Sequence, residues 1–475
     1  MKGAFIAAIC LAAMLAVPRP SSAIESEVDM LLNMLTKKGV ITAQDAATFS
    51  AEVAIKKQED VTARPAVSAA AAEWTERIRM GGDVRFRTRG DWGKTSDSTN
   101  ITTISEQRLQ ESVRPRFYLE AKINDVTYAG GRITGGDTNS RSADITLNNY
   151  FSKSFAMFDQ YYIRFETPKS WAMRYSPYLS DIKIWSGKLQ NPYEVSEMVW
   201  DPDINPAGIA FQYVSPDIDA GPVPGFKAYS NIGMFWLDET ANSNTDPLLW
   251  GYQFGIKTVK FGIFDSVVNI ATTLYDFANL KHKTPNTNSA GTNSRVWRGD
   301  MGGMQTSASN PLLGTYAYEY CVFELLWKVD NERLMDWNMP HGFYGDFICN
   351  PSCHSGDTNK GVQVGAYVGA NKMKENGDWK AKLEWRYLER DSVPDFLPDS
   401  NFYGFGTYTG INTPSGTNGI PAAGGTNGKG IKAMFEYQLF KNTALNFSLY
   451  WMEPIKSDGK QNPYTQFLFD VLVKF

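Results

Sequence analysis

The fold this sequence predicts is all-β: a sixteen-stranded antiparallel transmembrane β-barrel with a short N-terminal helical hairpin. Three observations point to it. From about residue 78 the chain alternates apolar and polar residues with a period of two. The connections between these segments alternate short and long in strict order. The chain also closes on an amphipathic strand, QNPYTQFLFDVLVKF, with Phe467, Phe469, Val471, Val473 and Phe475 on one face and Gln466, Leu468, Asp470, Leu472 and Lys474 on the other.

The first 77 residues stand apart. Lys2 precedes an apolar run over 4–17, and Ser21-Ser22-Ala23 supplies small residues, so 1–23 reads as a secretory signal peptide. Cys10 lies inside that run without a lipid-anchor context. In 24–60, Val28, Leu31, Leu32 and Leu35 recur at helical spacing, Gly39 stops the helix, and Thr42 caps a second one carrying Ala46, Phe49 and Val53. The stripe is narrow, so this coiled-coil-like hairpin calls for self-association or a periplasmic partner. An Ala/Pro/Ser-rich linker fills 61–77, and the barrel is expected over 78–475. Without the first 23 residues the net charge moves from −4 to −6, because Lys2 and Arg19 leave, so no nucleic-acid partner is expected. No later stretch approaches the ~20 apolar residues of a membrane helix.

Sixteen strands are expected at 78–90, 109–123, 126–135, 155–166, 180–189, 207–214, 226–238, 249–259, 262–275, 315–329, 332–346, 361–373, 378–389, 430–440, 443–453 and 464–475. In 379–387, Trp379, Ala381, Leu383, Trp385 and Tyr387 oppose Lys380, Lys382, Glu384 and Arg386. A sandwich would alternate equally well, so turn spacing decides. Asn124-Asp125, Lys260-Phe261, Asp330-Asn331, Lys374–Gly377 and Lys441-Asn442 are short turns, whereas 276–314 and 390–429 are long and rich in Gly, Asn, Ser and Thr. The segments 167–179 and 215–225 are longer than the short class requires. The asymmetry is that of a barrel integral to the cell outer membrane, in contact with its lipid, with short periplasmic turns and long external loops. The even strand count puts both ends, and hence the hairpin, in the periplasm. The last strand must pair with the first, since lipid tolerates no open edge. Trp327, Trp379, Trp385, Trp451, Tyr437 and Phe475 suit an aromatic girdle.

The segment GKLQNPYEVSEMVWDPDINPAGIAFQY (187–213) resembles the hallmark of the putative porins of Gram-negative bacteria, through Gly187-Lys188, Asn191-Pro192-Tyr193, Trp200-Asp201 and the run from Asp203 to Gly208. LLNMLTKKGVITAQDA (31–46) is similar to that family's leader hairpin. The resemblance covers most of the chain after the signal and is sharp in these two segments. It implies a passive porin for small hydrophilic solutes or ions, with the third external loop folded into a water-filled lumen and a homotrimeric assembly.

On this reading 190–206 is the third loop. Its acids Glu194, Glu197, Asp201 and Asp203, stiffened by Pro192, Pro202 and Pro206, are candidates for a pore constriction. Arg85, Arg87, Arg89, Arg114, Arg116, Arg132 and Arg164, with Lys122, are candidates for a basic pore wall facing it. The alternative is that these arginines solvate the wall and pair with Asp83 and Glu120. Excess wall arginine points to anions and the net charge to cations, so selectivity stays open. Asp201 and Asp203 alone are too few ligands for Ca²⁺, so no metal is expected.

Cys349 and Cys353 in CNPSCH (349–354) are a disulfide candidate on the oxidising side, and Cys321 a free thiol. The alternative for that cluster is a variant c-type haem site with His354, which would make the barrel the sheath of a porin–cytochrome electron-transfer conduit. The base expectation is no cofactor. His282, His341 and His354 form no catalytic constellation, so the chain is not expected to be an enzyme.

Overall fold

Sixteen strands of alternating pattern pair with their sequence neighbours, each antiparallel. They are β1 (Ile78–Ser96), β2 (Thr103–Lys122), β3 (Thr127–Gly135), β4 (Ala156–Glu166), β5 (Ile182–Lys188), β6 (Ala207–Val214), β7 (Val223–Trp236) and β8 (Leu248–Thr258), then β9 (Val267–Ala278), β10 (Tyr320–Asn331), β11 (His341–Cys349), β12 (Lys360–Gly369), β13 (Trp379–Leu388), β14 (Gly428–Phe440), β15 (Thr443–Pro454) and β16 (Tyr464–Lys474). This computed structural model describes Thr42, Gln44 and most of 75–475. The parts left out are the rest of 1–74 and stretches of the connections, the longest being 284–294, 297–314 and 408–420. The expected signal peptide and all but two residues of the expected hairpin therefore lie outside the described residues. The chain divides into two units, Met1–Arg77 and Ile78–Phe475, the second being the barrel.

The seam closes between β16 and β1, running from Asp83 opposite Lys474 to Gly93 opposite Tyr464. The backbone N–H of Gly82 donates to the Phe475 carbonyl and that of Phe475 to the Gly82 carbonyl, both at 3.0 Å. The Phe475 ring lies 5.6 Å from that of Phe117. The terminal aromatic is thus the last rung of a closed sheet, and no edge is left open.

Outward positions carry a belt of exposed apolar side chains, among them Phe86, Phe117, Ile163, Phe254, Ile270, Phe343, Leu383, Phe447 and Trp451. A contiguous surface of this kind belongs in lipid rather than water. The connections fall into two ends. At one end Lys441 and Asn442 alone join β14 to β15, with Asn442 at a φ of 64°, a left-handed conformation asparagine tolerates. The two over-long short connections hold structure of their own. One contains the helix α1 (Lys169–Arg174), and in the other Ile218–Ala220 pairs with the start of β7.

Two turns depart from expectation. Lys260-Phe261 belongs to a longer connection, 259–266, in which Phe261 pairs with Ser266, so β9 begins at Val267 rather than at 262. Asp330-Asn331 stays within β10, paired to Gly342 and His341, and the turn spans 332–340. The Asn331 carboxamide is held by the Ser266 hydroxyl at 2.6 Å and by His341 at 3.2 Å, so the ladder runs on. Strands β10 and β11 accordingly begin later than expected, and Thr315–Tyr316 pair instead with Arg295–Val296.

The inner face is not uniformly polar. On β7–β11 and β13 near the long-loop end, Phe235, Leu249, Tyr275, Phe277, Tyr320, Val322, Ile348 and Leu388 point inward and are buried.

Candidate functional site

The residues that cover this inward apolar patch come from loop 3 (189–206), between β5 and β6. Its backbone is a chain of small turns, each closed by a short polar side chain. Asn191 accepts from the Tyr193 N–H (3.0 Å), Ser196 from Met198 (3.2 Å) and Asp201 from Asp203 (2.9 Å). One side of the loop presents Leu189, Tyr193, Met198, Val199 and Trp200, which share a buried cluster with the inward residues above and with Val393 and Leu397 of loop 7 (389–427). Tyr193 packs edge-on to Tyr275 at 5.5 Å and to Phe235 at 6.2 Å, and donates its hydroxyl to the Gly251 carbonyl at 3.2 Å. A Cβ on Gly251 would collide with that hydroxyl, which is why a mid-strand glycine stands there.

Polar anchors complete the docking. The Gln253 carboxamide accepts from the Glu194 N–H (2.9 Å) and donates to the Glu194 carbonyl (2.7 Å), standing in for a neighbouring strand. Ser196 donates to Asp346 at 2.5 Å. At the far end, a β-bulge in β4 breaks the register with β3 between Arg132 and Ile133. The extra residue, Asp159, accepts from the Asn205 amide and from Arg132, and the Gln160 side chain lies 2.7 Å from that of Asn205. The bulge therefore re-aims two consecutive polar side chains onto one loop residue.

The four loop acids have four different surroundings. Glu194 is exposed. Glu197 accepts from Arg386 at 2.5 Å and from Lys432; burial opposes its ionisation, but Lys432 and Arg386 outweigh burial and hold the carboxyl below its ordinary range. Asp201 accepts the Ser400 N–H at 2.9 Å, while burial, then Asp399 and Asp203, push its carboxyl well above the ordinary value. Asp203 pairs with Arg114 at 3.0 Å and Arg116 at 3.6 Å.

Every one of the seven wall arginines is ion-paired. Arg85 meets Asp144 (2.7 Å), Arg87 meets Asp470 (2.6 Å) and Asp144 (3.3 Å), and Arg89 meets Asp91 (2.8 Å). Arg114 and Arg116 share Asp83 besides Asp203, Arg132 takes Asp159, and Arg164 takes Glu120 and Glu166. Asp144 comes from loop 2 (136–155), which bends in because Ile145–Thr146 add to β2 opposite Val113 and Ser112. Burial opposes ionisation of Asp144, but Arg85 and Arg87 more than offset it and keep the carboxyl below its ordinary value.

Between these loops and the wall of β1, β2 and β14–β16 lies a cavity of about 420 Å³. Six basic residues (Arg85, Arg87, Arg89, Arg114, Arg141, Lys432) and six acidic ones (Asp144, Glu197, Asp201, Asp203, Asp399, Asp470) line it, so the two kinds of group are equal in number. Glu194, Arg116, Arg132 and Arg164 do not reach it. Loops 2 and 7 and the residues Asp144, Arg141, Asp399, Asp470 and Lys432 had no place in the sequence-based site. A signal for loop 7 existed in DSVPDFLPDS (391–400), where repeated Pro-Asp pairs mark a shaped segment.

The expected Cys349–Cys353 disulfide is not formed: among the described residues Cys321, Cys349 and Cys353 are joined by no S–S bond. Cys349 continues the outward parity of Phe343 and Phe347, whereas Cys353 is buried with its thiol 3.6 Å from the Thr358 hydroxyl. The turn is held instead by Asn350, whose side chain accepts the Cys321 N–H and donates to the carbonyls of Glu319 and Asp391. His354 lies outside the described residues.

A family model described as "Putative porin" matches residues 38–307 and 338–412. The chain belongs to this putative porin family. The hallmark segment sits inside the match, and the barrel is a porin-type channel of the outer membrane. Among solved structures, the high-pH structure of Pseudomonas putida OprB is 9% identical, covers 86% of this chain and 97% of its own, and superposes with a TM-score of 0.48. Salmonella typhi OmpF in complex with daunomycin is 10% identical over 85% of this chain and 99% of its own, at 0.42. Vibrio cholerae OmpT in its trimer form is 9% identical over 84% and 99%, at 0.41. No curated protein matches the chain.

Proposed function

We propose that this porin passes small hydrophilic solutes or ions by passive diffusion, and that loop 3, docked on the inner wall, confines the path to the charged cavity beside β1, β2 and β14–β16. One observation carries the reading. Apolar packing of loops 3 and 7 occupies the β7–β13 side, while the opposite side keeps a cavity of about 420 Å³ lined by charge. Charged groups facing lipid would cost several kcal/mol, and water is their natural medium. A sheath around a cytochrome needs the interior that these loops take up, which favours diffusion over an electron conduit. The long loops face outward and the short turns face the periplasm. Residues 1–23 are removed on export, 24–60 form the periplasmic hairpin, and the assembly is a homotrimer. Planar-bilayer recording of the purified protein tests the proposal: steady, ohmic single-channel steps are expected, and a silent bilayer with folded protein overturns it.

A further inference from the structure

The cavity holds two like-charge pairs of opposite sign. Arg85 and Arg114 stand directly opposite each other in the β1–β2 ladder, an arrangement that is destabilising for like charges. Both are more than nine-tenths buried, and the Nε–H of each has no protein partner. Among the described residues Arg85 bonds to protein only through Nη2, at Asp144. The two Nε–H groups are sealed from the cavity, so the pair carries an uncompensated cost, and the guanidinium ends that line the cavity are where a further acceptor would lower it. On the loop side, Asp201 and Asp399 face the same cavity and repel one another, and Arg386, 3.5 Å from Asp399, offsets this on one side only. They are tied together locally, because the Ser400 N–H binds the Asp201 carboxylate while the Asp399 N–H binds the Glu197 carbonyl at 3.0 Å. Because basic and acidic groups line the cavity in equal number, a simple anion or a simple cation meets only one of the two like-charge pairs.

We propose that the cavity is a subsite for small zwitterions of the amino-acid class, with the solute carboxylate on Arg85 and Arg114 and its ammonium on Asp201 and Asp399. A carboxylate between two guanidiniums, and an ammonium between two carboxylates, each relieve one of the like-charge pairs. A neutral polyol of the same size relieves neither, and a simple anion or cation relieves one only. This inference rests on the diffusion reading and names the solute class for the same path.

The test is single-channel recording with L-glutamine, arabinose, acetate or methylammonium added to the bath. Saturable interruption of the ion current by L-glutamine, and weaker or absent interruption by the other three, is the expected result. Arg85→Gln and Asp399→Asn should each weaken the apparent glutamine affinity by about fivefold, the equivalent of one modest charge-assisted contact. Heat-modifiable gel mobility verifies that each variant is folded, and either variant alone suffices if the other does not assemble. Equal interruption by arabinose, no interruption by any probe, or unchanged affinity in the folded variants overturns the subsite. A channel that conducts but fails these criteria leaves the diffusion reading standing, whereas absence of conductance removes both.

Discussion

Neutralising Asp203 offers the cleanest probe of the charge balance around the cavity. Asp203 pairs with Arg114 and Arg116, and both arginines keep Asp83 in Asp203→Asn, at 3.4 Å and 2.9 Å. The structural cost is therefore about 1 kcal/mol, one modest hydrogen-bonded contact. The electrical effect is larger, because six cations then face five acids. For an ion about 5 Å from the lost charge in water, Coulomb's law gives about 0.8 kcal/mol. Screening at ~0.1 M salt trims this to about 0.5 kcal/mol. The effect has opposite signs for anions and cations, so their difference is about 1 kcal/mol, or about fivefold in the permeability ratio. The assay is the reversal potential across a bilayer under a KCl gradient, and the variant should move towards anions by that factor. A folded, conducting variant with an unchanged reversal potential would refute the argument that ions pass this cavity.

The other expectations are simpler to state. Glu197→Gln leaves buried Lys432 without its anion, facing a neutral amide oxygen and the Tyr450 ring 5.1 Å away, while Arg386 keeps Glu384 and Asp399; a loss of about 1–3 kcal/mol should lower the thermal midpoint. Because the Glu197 carboxyl is held below its ordinary 4.5, its stabilisation is present above that pH and is lost as pH falls through the depressed value; the wild-type midpoint should therefore drop on acidification below about 4.5 more steeply than that of the variant. Asn205→Ala removes the bond to Asp159 (2.7 Å) and the contact with Gln160, and should raise open-channel current noise; noise equal to wild type would show that the β4 bulge does not steady the loop. Deleting Phe475 removes the backbone pair to Gly82 and the contact with the Phe117 ring, and should reduce the yield of folded barrel on gels; full yield would show that the terminal rung is dispensable.

Strand number, parity and closure were legible because lipid forces outward positions to be apolar, and a period of two records that force directly. Lys441-Asn442 shows the same legibility in a turn, since left-handed geometry narrows the residue choice. The long connections could not be read this way. Loop 3 was expected as an acidic arm in water, yet one side of it is an apolar plate on the wall, Leu189 and Trp200 included. Its receptor was visible as a break in alternation, in Met234-Phe235-Trp236 and Leu248-Leu249-Trp250, where both faces of a strand are apolar. Which arginines meet which acids depends on contacts far apart in sequence, such as Arg87 with Asp470, and no local pattern encodes them. The cysteine pair misled because spacing ignores parity: Cys349 belongs to the strand's outer face and Cys353 to the buried turn.

The seam between β1 and β16 lies on the side of the wall that the apolar plate never touches. The β7–β13 staves and the segment clasped inside them can therefore consolidate as an open trough, with water still reaching the remaining staves. Zipping of Gly82 to Phe475 then becomes the final event, sealing an interior that is already furnished. Hydrogen exchange during refolding in detergent should protect the amides of Glu194 and Trp200 before that of Gly82. Simultaneous protection of all three would show that trough and seam form together.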